Sequence, residues 1–543
     1  MNRTQRLAAS LVLSCLASIG CRSHFAGLRE TGSGRGLGVV GGEEVAGDGF
    51  LHPNGRAQGN GIEGPAAVRA GHESRRRSPP ATTRGGLYMG FPEKFNRYYT
   101  DRGWKAKTTV YVSPLGGGSG DSRNRPATVA SALKAVRPGT MIVFLPGRYS
   151  GCYQIDDEHG GTYDNPIVLY GERNRDGSLG VSIECCSTGS KRCINLEAAD
   201  YVAIDGFELI GGNYGIRSVG KGFAADKHQK GVAVLGCIGH GQHKDPFFTG
   251  QSDWFVIEQC TAYDVGKGDG HGIYLSNGSD WNIARNNETY NTNSSDFQIN
   301  ADPLYTCADQ GLDYGDPECH AVAGTSSTGG RGASDFMLVE GNFFHDSKAQ
   351  GPNFASVRNS VICNNIFAFS ARHGASFYQE TKEPKLGSSN NLIAHNLFVT
   401  AVEEKRLLSV LGSSTHNQIK NNVLIAVKID GSTVKASPNG DLLATDASTA
   451  DTNVFDRNAW ISGHFGSNDW SAPYSPGATE YRLTTVDTSW FAAFPTALGH
   501  EPSAFAPTVT APWLDRGGPV VVIPTDRNGS IRHAPVDLGP YER

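Results

Sequence analysis

Methionine is scarce, four in 543 residues, and past the first twenty positions no apolar run is long enough to cross a bilayer as a helix. Neither sign of charge prevails, since 49 Lys and Arg face 54 Asp and Glu for a formal net charge of −5. The basic residues are dispersed, which argues against nucleic acid as a partner. No G-x-S-x-G elbow of the serine-hydrolase type occurs. The string from Gly215 to Gly222 resembles a P-loop but lacks the Ser or Thr that meets magnesium, so nucleotide binding is not implied. Cys237, His240 and His243 have a spacing a metal could use, but no fourth ligand is apparent and no metal site is assigned. Leucine at the fixed spacings of a leucine-rich repeat is also missing.

Glycine is abundant instead, at 69 residues, which favours many tight turns over packed helices. The chain opens with Arg3 and Arg6, then an apolar run from Leu7 to Ile19 of signal-peptide length. That run ends at Ser18-Ile19-Gly20-Cys21, similar to a lipoprotein cleavage box apart from Ser18, where Leu is usual. Residues 1–21 are therefore expected to direct export, to a secreted or envelope-associated location. Membrane attachment would come only through a lipid on Cys21, with ordinary cleavage nearby as the alternative. Residues 22–85, with Glu73-Ser74-Arg75-Arg76-Arg77-Ser78-Pro79-Pro80, have too little apolar surface to offset the entropy of ordering and read as a tether. In an exported protein some cysteines are expected to pair. Cys307 and Cys319, which bracket a polar loop, are the preferred disulfide, and the group Cys185, Cys186 and Cys193 offers material for another.

The folded body is expected over residues 86–440, with irregular last coils and a cap over 441–543. Thr109-Val110-Tyr111-Val112 reads as a strand. Thr128 to Val136 has helical spacing and would close the open end of a stacked core, and Met141 to Leu145 is a second strand. Internal repetition follows. An apolar residue three before a small polar one recurs at Val234 and Cys237, Ile257 and Cys260, Val339 and Asn342, Ile362 and Asn365, Ile393 and Asn396, and Ile419 and Asn422. Asn287 continues the column, and its distance of 55 residues from Asn342 is either two rungs or one rung with an insertion. A second strand comes about ten residues later, at Ile273–Ser276, Phe297–Asn300, Phe354–Val357, Ala375–Tyr378 and Leu407–Val410. Alternation turns Ile273, Leu275, Phe297, Ile299, Phe354 and Phe377 inward. The recurrent Asn would form a hydrogen-bonded ladder at a turn, with Cys237 and Cys260 as buried fillers. The expected fold is all-β: a single-stranded right-handed parallel β-helix, a solenoid, with a short N-terminal capping helix.

These coils, the entry segment from Tyr111-Val112-Ser113-Pro114 to Pro146-Gly147-Arg148-Tyr149, and the ending Asp537-Leu538-Gly539-Pro540-Tyr541-Glu542 resemble the pectate-lyase-like superfamily of parallel β-helix repeat proteins. The likeness spans about residues 108 to 543, and it is specific for fold more than for activity. It implies a groove along one stacked sheet that meets an extended sugar chain. Candidate substrate-binding residues are His271, Tyr274, Gln298, Asn300, Asn353, Arg358 and Tyr378. Arg suits carboxylates, Tyr a sugar face, and the amides sugar hydroxyls. Lyases of the superfamily commonly use Lys or Arg as base, which makes Lys348 and Arg372 the catalytic candidates, with His373 and Asp296 beside them.

The resulting expectation is an exported protein, a monomer, that binds an acidic, uronate-containing polysaccharide and cleaves it by β-elimination. A glycoside hydrolase would need two carboxylates at a set separation, for which Asp264, Asp296 and Asp302 are available. A non-catalytic adhesion or scaffold protein would use the same groove without chemistry. No cofactor is required by the sequence. Calcium stays open, because Asp309, Asp313, Asp316 and Glu318 supply oxygen ligands, although the paired-aspartate motif of calcium-dependent pectate lyases is missing.

Overall fold

The computed structural model describes residues 104–185, 191–222, 225–266, 270–302, 333–379, 387–401, 406–438, 443–445, 452–463, 478–494 and 501–543. The leader, the tether, the Cys307–Cys319 pair and the carboxylates between those cysteines lie outside these residues.

Short strands repeat in a fixed cycle of three. One coil runs through Ile283–Arg285, Glu288–Thr292 and Phe297–Asn300, and the next returns to Leu338–Glu340. Each strand pairs in parallel with its counterpart one coil on. Three long sheets result, here called 1, 2 and 3 in the order the chain visits them. Among the described residues, sheet 1 has twelve strands from Thr108–Val112 to Val454–Asp456, and sheet 3 has ten from Tyr153–Asp156 to Leu443–Thr445. The chain is a parallel β-helix, and its stacked coils extend to Tyr481–Leu483, past residue 440. Arg285 pairs directly with Glu340, so the interval of 55 residues is one rung with an insertion.

Stacking brings like residues into columns. The expected inward set, Ile273, Leu275, Phe297, Ile299, Phe354 and Phe377, is sealed in one continuous core with Val339, Ile362, Ile393 and Ile419. Phe354 and Phe377 stack with centroids 4.5 Å apart, as one-rung spacing requires. At the turn from sheet 1 to sheet 2 a left-handed residue precedes each column member, as at Asn286, Gly341, Asn364, His395 and Asn421. Glycine suits this conformation and this space, since a Cβ on Gly341 would lie 2.4 Å from Asn286 Oδ1.

The column itself is an amide ladder. Asn287, Asn342, Asn365, Asn396 and Asn422 each donate Nδ2 to the Oδ1 of the next, and Asn422 donates to Asn458, at 2.9–3.0 Å. Each Nδ2 also donates to a carbonyl of the preceding coil, and from Asn342 onward each Oδ1 also accepts the backbone N–H of the preceding Asn. Buried amides thus meet both donors and both acceptor sites internally. The ladder begins at the buried Cys237 and Cys260, and Cys260 N–H donates to Asn287 Oδ1 at 3.0 Å. It ends at Glu480, which accepts from Asn458 and Trp460. Burial pushes the Glu480 carboxyl up to about 7. A second ladder, Asn391–Asn417–Asn453, runs along the turn from sheet 3 back to sheet 1.

The ends are closed as solenoids need. Helix Val129–Lys134, capped by Thr128 on Ser131 N–H, buries Val129 and Ala132 against the first coils. At the other end the C-terminal segment does not continue the winding. Phe491, Phe505, Trp513, Leu538 and Tyr541 cover the outer face of sheet 2 over Ile366, Leu397, Val423 and Ile461. Ile523, Val520 and Val522 reach the outer face of sheet 1, and Arg527 and Arg532 pin the segment to the turn between them at Asn342 and Asn364.

Spacing assigns no connectivity to the group Cys185, Cys186 and Cys193, and one disulfide does form from it. Cys185 bonds to Cys152, not within its own sequence cluster. Both lie at the turn from sheet 2 to sheet 3 and are one coil apart, whereas Cys193 sits on the following strand with its thiol buried in the core.

The ladder gives a graded expectation for stability. Asn396→Ala orphans buried donors and acceptors on both neighbouring rungs and should cost about 3 kcal/mol, measured by urea unfolding. Asn458→Ala, at the ladder's end where Glu480 takes the place of a further Asn, should cost less. Equal losses would contradict the shared-amide account.

Candidate functional site

The outer face of sheet 3 is the one the residues single out. Register aligns a single outward row: Gln154, Asn195, Arg217, Phe248, Tyr274, Gln298, Asn353, Ser376 and Ser409. The row changes character along its length. At the first coils Arg217 Nη1 donates to Glu197 at 2.8 Å and to Asn195 at 3.2 Å, and Asn195 donates to Gln154 at 3.2 Å. Phe248 and Tyr274 follow, in edge contact at 5.4 Å. Amides and hydroxyls complete it. Rings in the middle with fixed amides on either side suit a chain whose units offer apolar faces and hydroxyl edges.

The turns from sheet 2 to sheet 3 border this row on one side, and there the charge is uneven. Lys348 and Arg372 are exposed and Arg406 half-buried on three successive turns, and the exposed Lys244 stands on the same edge three turns before Lys348. Lys244 Nζ also lies 5.9 Å from the Tyr214 ring centroid. Among the described residues the carboxylates of these turns are engaged elsewhere: Asp245 and Asp296 are buried, and Asp346 is taken by His345 at 2.7 Å. A cationic rim beside a neutral polar floor attracts anions along the coil axis.

Several sequence candidates fall on this face. Tyr274, Gln298 and Asn353 stand adjacent in the central row. Asn300 and Tyr378 occupy a parallel row with Ser276 and Ala355, and Asn300 Oδ1 accepts from Asp302 N–H at 2.9 Å. Lys348, Arg372 and the half-buried His373 are on the rim. His271 lies at the same turn, buried, in edge contact with Tyr274 at 4.9 Å.

Two candidates do not face the groove. Arg358 is buried at the turn from sheet 3 to sheet 1, 3.7 Å from the fully buried Asp335. Asp296 is fully buried: the chain turns there, so Asp296 and Phe297 both point inward, as Leu407 and Leu408 do one coil set later. Burial raises its carboxyl well above the ordinary range, and Oδ1 accepts from Thr292 at 3.0 Å. The hydrolytic set also disperses. Asp296 and Asp302 flank the strand Phe297–Asn300, roughly 20 Å apart at strand rise, while Asp264 pairs with Asn291 on sheet 2. Neither arrangement gives the separation of about 5–9.5 Å that two carboxylates need. Cys237 and His240 point to opposite faces of sheet 2's edge, one into the core and one outward, and no group of three metal-ligating side chains converges among the described residues.

Arg217, Phe248, Lys244 and Arg406 were absent from the sequence candidates. The signal was present, since Phe247–Gly250 precedes Ile273–Ser276 by 26 residues, one period upstream.

A different chemistry occupies the outer face of sheet 2. His240, Tyr263, Tyr290 and His345 stack on successive coils at 4.9–5.2 Å. His345 is buried, which by itself would favour the neutral ring, but Asp346 at 2.7 Å and Glu288 at 3.3 Å outweigh burial and raise it to about 9.

No family model matches the chain, and no curated protein matches it. Solved structures do. A pectate lyase, Pel9A, is similar over 81% of this chain and 97% of its own, at 16% identity and a TM-score of 0.44. An alginate lyase from Paenibacillus sp. strain FPU-7 covers 58% of this chain and 94% of its own, at 16% identity and 0.40. The A-module of the mannuronan C-5 epimerase AlgE6 from Azotobacter vinelandii covers 65% and 92%, at 11% identity and 0.44. Overlap at this level adds nothing to the coil-by-coil pairing described above.

The His345 cluster carries a pH expectation. A histidine raised above its unfolded value near 6.5 stabilises fully below that value, and the contribution is lost as pH rises through about 9. Between pH 6 and 9.5 the wild type should lose on the order of 2 kcal/mol relative to His345→Gln, read by urea unfolding of both. Parallel profiles would contradict a charged His345.

Proposed function

We propose that the outer face of sheet 3 binds an acidic, uronate-containing polysaccharide laid along the coil axis, in an exported protein that cleaves it by β-elimination. The observation that carries this reading is the pairing of the Phe248–Tyr274–Gln298–Asn353 row with the cationic rim Lys244, Lys348, Arg372 and Arg406. Rings supply contact to sugar faces, amides bind hydroxyls, and the rim neutralises carboxylates spaced along the chain.

Elimination next to a uronate carboxylate needs a base for the adjacent proton and a cation to hold the carboxylate. Lys348 and Arg372, on successive turns, are the rim residues proposed for those two roles, with His373 next to Arg372. The hydrolytic alternative lacks a convergent pair among Asp264, Asp296 and Asp302. A non-catalytic adhesin would use the same rim and row, and activity separates the two. Calcium, if it takes part, would add to the positive rim, and a chelator tests it.

The full chain is incubated with a panel of uronic-acid polysaccharides, with calcium or with a chelator, and followed by ultraviolet absorbance of unsaturated ends together with reducing ends. Absorbance rising in step with reducing ends is expected, lost by at least a hundredfold in Lys348→Ala or Arg372→Ala, with binding weakened in Tyr274→Ala. Binding without product in the wild type would replace the lyase by the adhesin, and reducing ends alone would indicate hydrolysis.

A further inference from the structure

Three polar side chains link successive turns beneath the cationic rim. Asp245 Oδ1 accepts the backbone N–H of His271 at 2.7 Å. His271 Nδ1 then meets the backbone N–H of Ser295 at 3.2 Å, and Ser295 Oγ accepts from Asn353 Nδ2 at 2.5 Å. Asn353 is a member of the outward row of sheet 3. The links therefore run from a buried carboxylate to the groove floor.

The middle link fixes a proton. A backbone amide is only a donor, so His271 Nδ1 has to be the unprotonated nitrogen, and the neutral ring carries its hydrogen on Nε2. Burial reinforces this state and lowers the ring to about 4, so it is neutral at physiological pH. Among the described residues Nε2 has no hydrogen-bond partner, and it is not among the side-chain atoms sealed from solvent without one. His271 keeps a residual exposure of 7%, and the Tyr274 ring centroid lies 4.9 Å from its own at an interplanar angle of 64°. Lys244 stands on the preceding turn.

We propose that His271 is a specificity-determining residue of the groove, whose Nε2–H donates to a carboxylate oxygen of the uronate unit seated at Tyr274. This rests on the sheet 3 reading above and adds an atom to it. The ring is held in place, because Ser295 N–H engages its other nitrogen and Tyr274 packs against it in an edge contact. A donor fixed in this manner needs an acceptor opposite it, and a carboxylate offers only acceptors. A neutral donor also gains from the ligand charge without a competing salt bridge. Sugar units whose carboxylate has been reduced to a primary alcohol should bind less well at this subsite.

The test uses the full chain, labelled with 15N at histidine, and a uronate oligosaccharide with its carboxyl-reduced counterpart. In the free protein the imidazole nitrogen shifts should show the Nε2–H tautomer of His271 from pH 5 to 8, and the acidic oligosaccharide should shift that resonance. His271→Leu should lose about 10- to 100-fold in affinity for the acidic oligosaccharide and much less for the reduced one, with partial recovery in His271→Gln, which restores a donor. The proposal is overturned by an Nδ1–H tautomer, by an unmoved resonance at saturation, or by equal affinity of a folded His271→Leu. In the last two cases a wild type that still binds leaves the groove reading intact. A wild type that binds no oligosaccharide removes the groove reading and the role of His271 with it.

Discussion

The constraint on which the rest depends is the parallel pairing of each strand with its counterpart one coil later. Because that pairing repeats at a spacing of about 4.8 Å without slipping, every side chain has a like-placed neighbour above and below. Asparagine exploits this better than any other residue at the turn from sheet 1 to sheet 2, since its two donors and its oxygen reach the coils on both sides. The amide ladder in turn locks the register. A one-residue slip would break several buried amide bonds at once and turn the Phe297, Phe354 and Phe377 column out of the core.

The same constraint builds the candidate site. Outward residues of sheet 3 form a continuous line of rings and amides only because their strands are in register. The turns from sheet 2 to sheet 3 repeat beside it, which places Lys244, Lys348, Arg372 and Arg406 on one edge although they lie far apart in sequence. The turns from sheet 3 to sheet 1 differ in kind. There Asp253, Asp280 and Asp335 are stacked and buried, each of the first two accepting the next one's N–H, with His228 and Arg358 at the two ends. Burial, with Asp253 and Asp335 close by, pushes Asp280 well above the ordinary carboxyl range. That corner is a structural seam, whereas the turns from sheet 2 to sheet 3 carry exposed Lys244, Lys348 and Arg372.

Much of this was legible in the sequence where periodicity governs. The Asn column, the filler cysteines and the inward Phe and Ile positions followed from spacing alone, and Tyr274, Gln298 and Asn353 stand in one row as alternation required. Alternation fails where strands end. Arg358, Asp296 and His271 sit in turns, where side-chain direction is set by local backbone conformation, as the left-handed Phe336 and Asn359 beside Arg358 show. The disulfide partner of Cys185 was hidden for a related reason, since nearness across one coil corresponds to 33 residues of sequence. The C-terminal segment carries no repeat, and its Phe, Trp and Tyr residues gave no hint that they cover the outside of sheet 2.

The most direct measurement is a crystal structure of the full chain with a uronate oligosaccharide at saturating concentration. Density for the sugar along sheet 3, with a ring against Tyr274 and carboxylates towards Lys244, Lys348 and Arg372, is the result the account predicts. A sugar bound to the stacked rings of sheet 2, or no sugar on the protein at all, would contradict it.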